Sequence, residues 1–104
     1  MLIRTKDKEA IIAIANNIFS SPVEIWAYGS RVNGDAHETS DLDLAVYTEG
    51  KLDLNEFWDF KEALEDSTIP ILIDVMPWHE IPESFRENIK KKYEVLAQIS
   101  PVKA

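Results

Sequence analysis

The sequence predicts a single small α/β domain of the α+β kind, with helices packed on a small mixed sheet in the order α, β, α, β, α, β, α. Apolar residues recur at helical spacing in separate stretches, and short branched or aromatic runs lie between them. Glycine, proline and serine mark the junctions: Ser20-Ser21-Pro22, Gly29, Gly34, Pro70 and Pro77. At 104 residues the chain has room for one modest core, so residues 1–104 read as one domain without a second substrate-binding lobe.

The elements follow in order. From Thr5, a residue suited to a helix N-cap, the residues Ile11, Ile12, Ala15, Ile18 and Phe19 form a helical stripe that Ser20-Ser21-Pro22 stops. Val23 to Tyr28 is a strand running straight into Gly29, followed by a short helix near Ser30 to Asn33 that Gly34 closes. Asp35 to Ser40 reads as polar loop. Leu42 to Tyr47 is a strand that alternates, with Leu42, Leu44 and Val46 toward a core and Asp41, Asp43 and Ala45 on the other side. After the turn Thr48-Glu49-Gly50-Lys51, Phe57, Phe60 and Leu64 mark a helix from Asn55 to Asp66. Pro70 introduces a strand from Ile71 to Met76, which Pro77 breaks. Pro82 suits a first helical position, and Phe85, Ile89, Tyr93 and Leu96 predict a last helix to Gln98, with a loose tail over residues 100–104.

Composition narrows the function. Eleven basic against nineteen acidic residues give a net charge of −8, which opposes a nucleic-acid backbone as the main partner. The absence of cysteine removes disulfides, thiol catalysis and cysteine-based zinc sites. No apolar run is long enough to span a bilayer and Met1 to Arg4 is no signal peptide, so a soluble cytoplasmic protein is expected.

The chemistry concentrates in one segment. Gly29-Ser30 stands ten residues ahead of Asp41-Leu42-Asp43, and a third acid, Asp74, sits in the apolar run Ile71 to Met76. On a strand, Asp41 and Asp43 face the same side with Cα atoms about 6.5–7 Å apart. Carboxylates held that close repel unless a cation lies between them, and Mg2+ takes oxygen ligands together with substrate phosphates. Gly29 lets a phosphate approach the backbone, and Ser30 offers a hydroxyl and an amide at a helix start. This is no Walker A loop, because Gly-Lys-Ser/Thr is absent. Taken alone, Gly29 ends a strand and Ser30 caps a helix; the spacing to the acids favours a catalytic site. Asp74 reads either as a strand-edge carboxylate paired with a nearby lysine or arginine or, because an acid amid apolar neighbours needs a specific partner, as a group that meets a metal or a substrate hydroxyl. Arg31 reaches a triphosphate or faces water. His37 and His79 each lack a second histidine at ligand spacing. Of Trp26, Trp58 and Trp78, at least two belong to the core; Trp58 lies beside its helix's apolar stripe and suggests a protein contact. Lys90-Lys91-Lys92 reads as the solvated, charged end of a helix, with contact to nucleotide or nucleic acid as the weaker alternative in an acidic chain.

These motifs resemble the nucleotidyltransferase superfamily with the DNA polymerase β-like fold, through Ala27-Tyr28-Gly29-Ser30-Arg31, Ser40-Asp41-Leu42-Asp43-Leu44 and Asp74. Within it, the chain is most similar to the minimal nucleotidyltransferases, antitoxins of small helical HEPN-domain toxins. The resemblance implies that Asp41 and Asp43 hold two Mg2+ ions and that Asp74 completes one shell and helps deprotonate the attacking hydroxyl. It assigns Gly29 and Ser30 to the triphosphate of ATP and leaves Arg31, in the matching position, without a fixed role. The implied reaction is transfer of AMP from ATP to a tyrosine of the HEPN partner. Two other readings stand beside it: an antitoxin that neutralises its partner by binding alone, and an enzyme modifying a small molecule of the antibiotic type, for which a single lobe leaves little pocket.

Overall fold

The computed structural model describes residues 3–34 and 41–101. The expected loop 35–40, with His37 and Ser40, and the end of the tail, residues 102–104, lie outside the described residues. The elements are α1 (Thr5–Ile18), β1 (Val23–Tyr28), α2 (Ser30–Asn33), β2 (Leu42–Tyr47), α3 (Leu54–Glu65), β3 (Ile73–Pro77), a 3-10 turn (Trp78–Glu80), α4 (Glu83–Lys91) and β4 (Glu94–Ile99). The strands form one sheet in the order β3-β2-β1-β4. β1 runs antiparallel to both β2 and β4, whereas β2 and β3 are parallel. The expected small mixed sheet with helices is present.

One face of the sheet carries the main core. Ile25 and Ala27 of β1 and Leu42, Leu44 and Val46 of β2 pack with Ile11 and Ala15 of α1 and Phe57, Phe60 and Leu64 of α3. The helices meet through Phe19 and Phe60, whose ring centroids lie 5.2 Å apart. At the start of α1 the N-cap is Arg4, one residue before the expected Thr5. Its guanidinium clamps the buried Asp7 through Nε to Oδ2 at 2.9 Å and a terminal nitrogen to Oδ1 at 3.2 Å. This two-pronged contact places an acid in the first turn, where the helix dipole favours it. α3 is capped by Asp53, whose carboxylate accepts from the amides of Asn55 and Glu56 at 2.9 and 3.2 Å.

The opposite face, expected to carry Asp41, Asp43 and Ala45, also bears a second apolar cluster of Trp26, Tyr28, Ala45, Trp78, Ile81 and Ile89. Trp26 is stacked between Tyr47 and Tyr93, at 4.6 and 4.3 Å. Trp26 and Trp78 are therefore core residues, and Trp58 is 59% exposed with the Lys61 ammonium 5.3 Å from its ring centroid.

The C-terminal third corrects the expected order. The last helix does not run to Gln98: α4 ends at Lys91 and a fourth strand, β4, follows. Pro82 is the N-cap of α4 instead of its first helical residue. The strand was hidden by an irregularity in its pairing, where Ile25 faces Ala97 and Trp26 faces Val95, leaving Leu96 as an extra residue. Leu96 and Ala97 are both buried in consequence, and the period of two that marks a strand is lost. Pro77 closes β3 as its last residue.

Candidate active site

The site is built at the edge of the sheet where β1 ends and β2 and β3 begin. β2 and β3 start in step, with the amide of Leu42 donating to the carbonyl of Leu72 at 2.9 Å. Register then sets Tyr28 beside Asp43 and Asp43 beside Asp74. Neighbouring strands lie about 4.8 Å apart, so these residues form one row across three strands with their side chains on one face. Asp41, two residues before Asp43, shares that face at the exposed rim. The row joins residues up to 46 positions apart (28 to 74) through backbone pairing alone.

Gly29 turns the chain out of β1 with φ 83° and ψ −158°, a combination essentially confined to glycine. Its bare Cα lies against Asp43: a Cβ there would collide with Asp43 Oδ2 and stand 3.3 Å from Cγ. Glycine is therefore required twice, by its own torsion angles and by the approach of the carboxylate. Gly29 is also the N-cap of α2, its carbonyl accepting from Val32 and Asn33 at 3.1 and 2.9 Å. Ser30 is thus the first helical residue, and the helix start has no side-chain cap. The reading of Ser30 as a cap fails, and its hydroxyl is not spent on that task. Gly34 closes α2 in the left-handed region, with its amide donating to the Ser30 carbonyl at 3.1 Å. Arg31 does not face water: it is buried and engaged with partners of its own.

Electrostatics register the crowding of acids. Burial, then the charge of Asp74, then that of Asp41 raise the Asp43 carboxyl above the ordinary carboxylate range. Burial, with Asp43 and Asp74 adding to it, pushes the Tyr28 phenol up to about 12. Tyr28 is therefore a neutral hydrogen-bonding group at physiological pH. Among the described residues, no group of three or more His, Asp or Glu side chains stands arranged to hold a metal ion. Asp43 feels the charges of both Asp74 and Asp41, yet the three carboxylates do not close into a cage. The donor set nevertheless suits a hard divalent cation, being all carboxylate oxygen, and the bare Gly29 leaves room for the Asp43 carboxylate within it. His79 is exposed and away from this row.

A pocket of about 250 Å3 opens beside the row, lined by Tyr28, Asp43 and Asp74 and by the apolar residues Met76, Ile81, Pro82 and Phe85. Sequence reasoning missed the apolar wall and Tyr28. The position of Tyr28 directly before Gly29, at the end of a strand, was the available signal for the latter. A larger hollow of about 630 Å3 lies at the other end of the sheet, around Pro22, Thr48 and Ser100, and none of the predicted site residues lines it. No helix among the described residues is long and apolar enough to cross a membrane.

Comparison with known proteins identifies the family. The family described as Polymerase beta, Nucleotidyltransferase matches residues 9–101. A probable protein adenylyltransferase, MntA, of Haemophilus influenzae is 39% identical over 94 residues, covering 88% of this chain and 82% of the relative. Among solved structures, a toxin–antitoxin crystallised with AMP-PNP superposes with a TM-score of 0.70 at 21% identity, over 88% of this chain and 73% of the other. A MntA–HpeT toxin–antitoxin mutant gives 0.68 at 18% identity, over 86% and 71% of the two chains. A third structure, assigned to the minimal nucleotidyltransferases, gives 0.64 at 27% identity, over 86% and 88%. With a glycine-made turn set against an acidic pair on adjoining strands, and a family match spanning nearly all of its length, the chain belongs to the polymerase β nucleotidyltransferases and is of their minimal, MntA-like form.

Proposed function

We propose that this nucleotidyltransferase is Mg2+-dependent, moves AMP from ATP to a tyrosine hydroxyl of a cognate HEPN-domain toxin, and thereby acts as its antitoxin. The observation that carries the reading is the row of Asp43 and Asp74 in register, with Gly29 in contact with Asp43. The name of the Haemophilus relative, a protein adenylyltransferase, supports AMP as the transferred group, and the toxin–antitoxin structures with the same fold support a protein partner.

Asp41, Asp43 and Asp74 would hold the metal. When bound, Mg2+ neutralises phosphate charge and makes a coordinated hydroxyl more acidic. The chain's own residues supply the rest. Gly29 lets the triphosphate approach where a side chain would intervene, and Ser30 donates its hydroxyl to a phosphate oxygen. The Asp74 carboxylate, which lines the pocket, assists loss of the acceptor's proton. The acceptor oxygen bonds to the α-phosphorus, the bond from that phosphorus to the bridging oxygen breaks, and pyrophosphate leaves with the electron pair. Tyr28, neutral beside the acids, adds no negative charge to the site.

The test is to mix the chain with Mg2+, ATP labelled at the α-phosphate and the HEPN-domain partner, and to follow label into protein. Label should appear on a partner tyrosine and vanish with the Asp41→Asn/Asp43→Asn double variant. If that variant neutralises the toxin as well as the native chain does, neutralisation is by binding and the catalytic reading of the antitoxin is wrong.

A further inference from the structure

We propose that the outer face of α3 around Leu54 and Trp58, together with the hollow at the start of that helix, docks a protein helix whose apolar stripe is flanked by lysine and arginine. Trp58 is 59% exposed and Leu54 45%, and neither belongs to a core cluster. Four residues apart on α3, they form one stripe. Phe57, Phe60 and Leu64 already supply the buried side of the helix, so a second apolar stripe facing water answers no need of the fold. The stripe leads into a hollow of about 300 Å3 whose lining includes Val46, Leu52, Leu54 and Trp78. That is room for an apolar side chain beside Leu54. A row of side chains spaced by four along a helix is also the ridge that the groove of a second helix accepts.

The surface is separate from the acids. Asp43 stands near the start of β2, whereas the hollow meets the chain at Val46 and Thr48, at and just beyond its end. α3 packs on the face of the sheet that carries Leu42, Leu44 and Val46, and Asp43 alternates to the other face. Charge then selects the occupant. Residues 49–66 contain seven acids against Lys51 and Lys61. Asp53 is bonded to the amides that open α3 and Glu56 to Ser20, but Asp59, Glu62 and Glu65 are exposed and have no ion pair or side-chain hydrogen bond among the described residues. Glu62 and Glu65, four and seven residues beyond Trp58, lie on its side of the helix. These acids repel nucleic acid and anionic membrane. A second copy of the chain would set the same acids against each other across a two-fold axis. A helix with basic flanks covers the stripe and pairs with its rim.

The experiment uses the full chain and, as the probe, an amidated helical peptide of about 18 residues with leucine on one stripe and lysine beside it, followed by NMR at the Trp58 indole N–H and the Leu54 methyl groups. Both signals should shift, and the same peptide with glutamate in place of lysine should leave them unmoved. Trp58→Ala should weaken binding about 30-fold, as loss of a central interface tryptophan does. The charge reversal Glu62→Lys/Glu65→Lys should weaken it as well, and the affinity of the native chain should fall as salt is raised. Both variants change exposed side chains, and their circular dichroism and Tm should match the native chain. Shifts confined to other exposed apolar residues such as Phe85 or Val95, equal binding of the glutamate peptide, or full affinity in Trp58→Ala would overturn the proposal. Sedimentation showing a dimer of the native chain that Trp58→Ala abolishes would overturn it too, by assigning the face to a second copy.

Discussion

Gly29→Ala tests the closest contact in the site, and Gly34→Ala is its internal control. Both glycines have positive φ, 83° and 90°, so both substitutions strain the backbone. At Gly29, φ and ψ lie in a region that costs other residues about 1–3 kcal/mol. At Gly34 the left-handed conformation costs about 1–2 kcal/mol. The lower freedom of alanine in the unfolded chain returns about 0.4–1 kcal/mol in each case if the native angles were tolerated. A net loss of about 0–2.5 kcal/mol is expected for Gly29→Ala and of about 0–1.5 kcal/mol for Gly34→Ala, and in a domain of this size each kcal/mol lowers Tm by about 4–8 °C. Function should separate them. A Cβ at Gly34 meets no described atom within 4 Å, whereas at Gly29 it collides with the Asp43 carboxylate. That carboxylate is the end of a mobile side chain and will rotate away, so the clash is relieved at the expense of the position Asp43 held. Misplacing a catalytic group by about 1 Å can reduce rate about 100-fold. Transfer of labelled AMP, assayed well below both Tm values, should therefore fall about that far in Gly29→Ala and little in Gly34→Ala. Equal transfer by the two variants would refute the claim that Gly29 is kept bare for Asp43.

Asp43→Asn should stabilise the fold at neutral pH while abolishing transfer. Charges about 5 Å apart on adjacent strands repel by about 1–3 kcal/mol at effective dielectrics of about 80 to 20, and the partial exposure of Asp43 favours about 1 kcal/mol. Because the folded protein binds this proton more tightly than the unfolded chain, stability is fullest below the ordinary carboxylate value and declines as pH rises through the raised one. The gain in Tm from Asp43→Asn should be present at pH 7 and vanish in acid; a constant gain across pH would contradict the burial and crowding invoked here. Tyr28, held at about 12, contributes stability that is complete below about 10 and lost between about 10 and 12. Tyr28→Phe should remove that part of the alkaline decline in urea-unfolding curves, and an unchanged decline would place its source elsewhere. Ser30→Ala should weaken Mg2+-ATP binding about 5–30-fold, one hydrogen bond to a charged group; unchanged affinity in calorimetry would remove the hydroxyl from the site.

Much of the fold was legible because local rules and tertiary packing agreed. Ile11, Ala15, Phe57, Phe60 and Leu64 follow a helical period, and each is buried in the main core. Leu42, Leu44 and Val46 alternate as a half-buried strand must, and they too are core. The misreading fell on the C-terminal third, where Phe85, Ile89, Tyr93 and Leu96 happen to keep helical spacing across a boundary at Lys91. No glycine or proline stands at that boundary, and the bulge in β4 removes the alternation that would have replaced the helical pattern. Of the site, Gly29, Ser30, Asp41, Asp43 and Asp74 were named from spacing, whereas the burial and partnering of Arg31 were not visible in it.

The sequence by itself determined the chemistry on offer: a glycine-led turn, an Asp-x-Asp strand, a later strand acid, no thiol and an acidic surface. These are properties of residue type and local period, so they survive without coordinates. Only the tertiary structure decided that Asp43 and Asp74 share a register, that Gly29 must stay bare against Asp43, and that Phe85 and Ile81 complete a pocket beside the acids. The physical reason is that register between distant strands, and the fall of α4 across the sheet, are set by how whole faces pack, and no stretch of neighbouring residues encodes that.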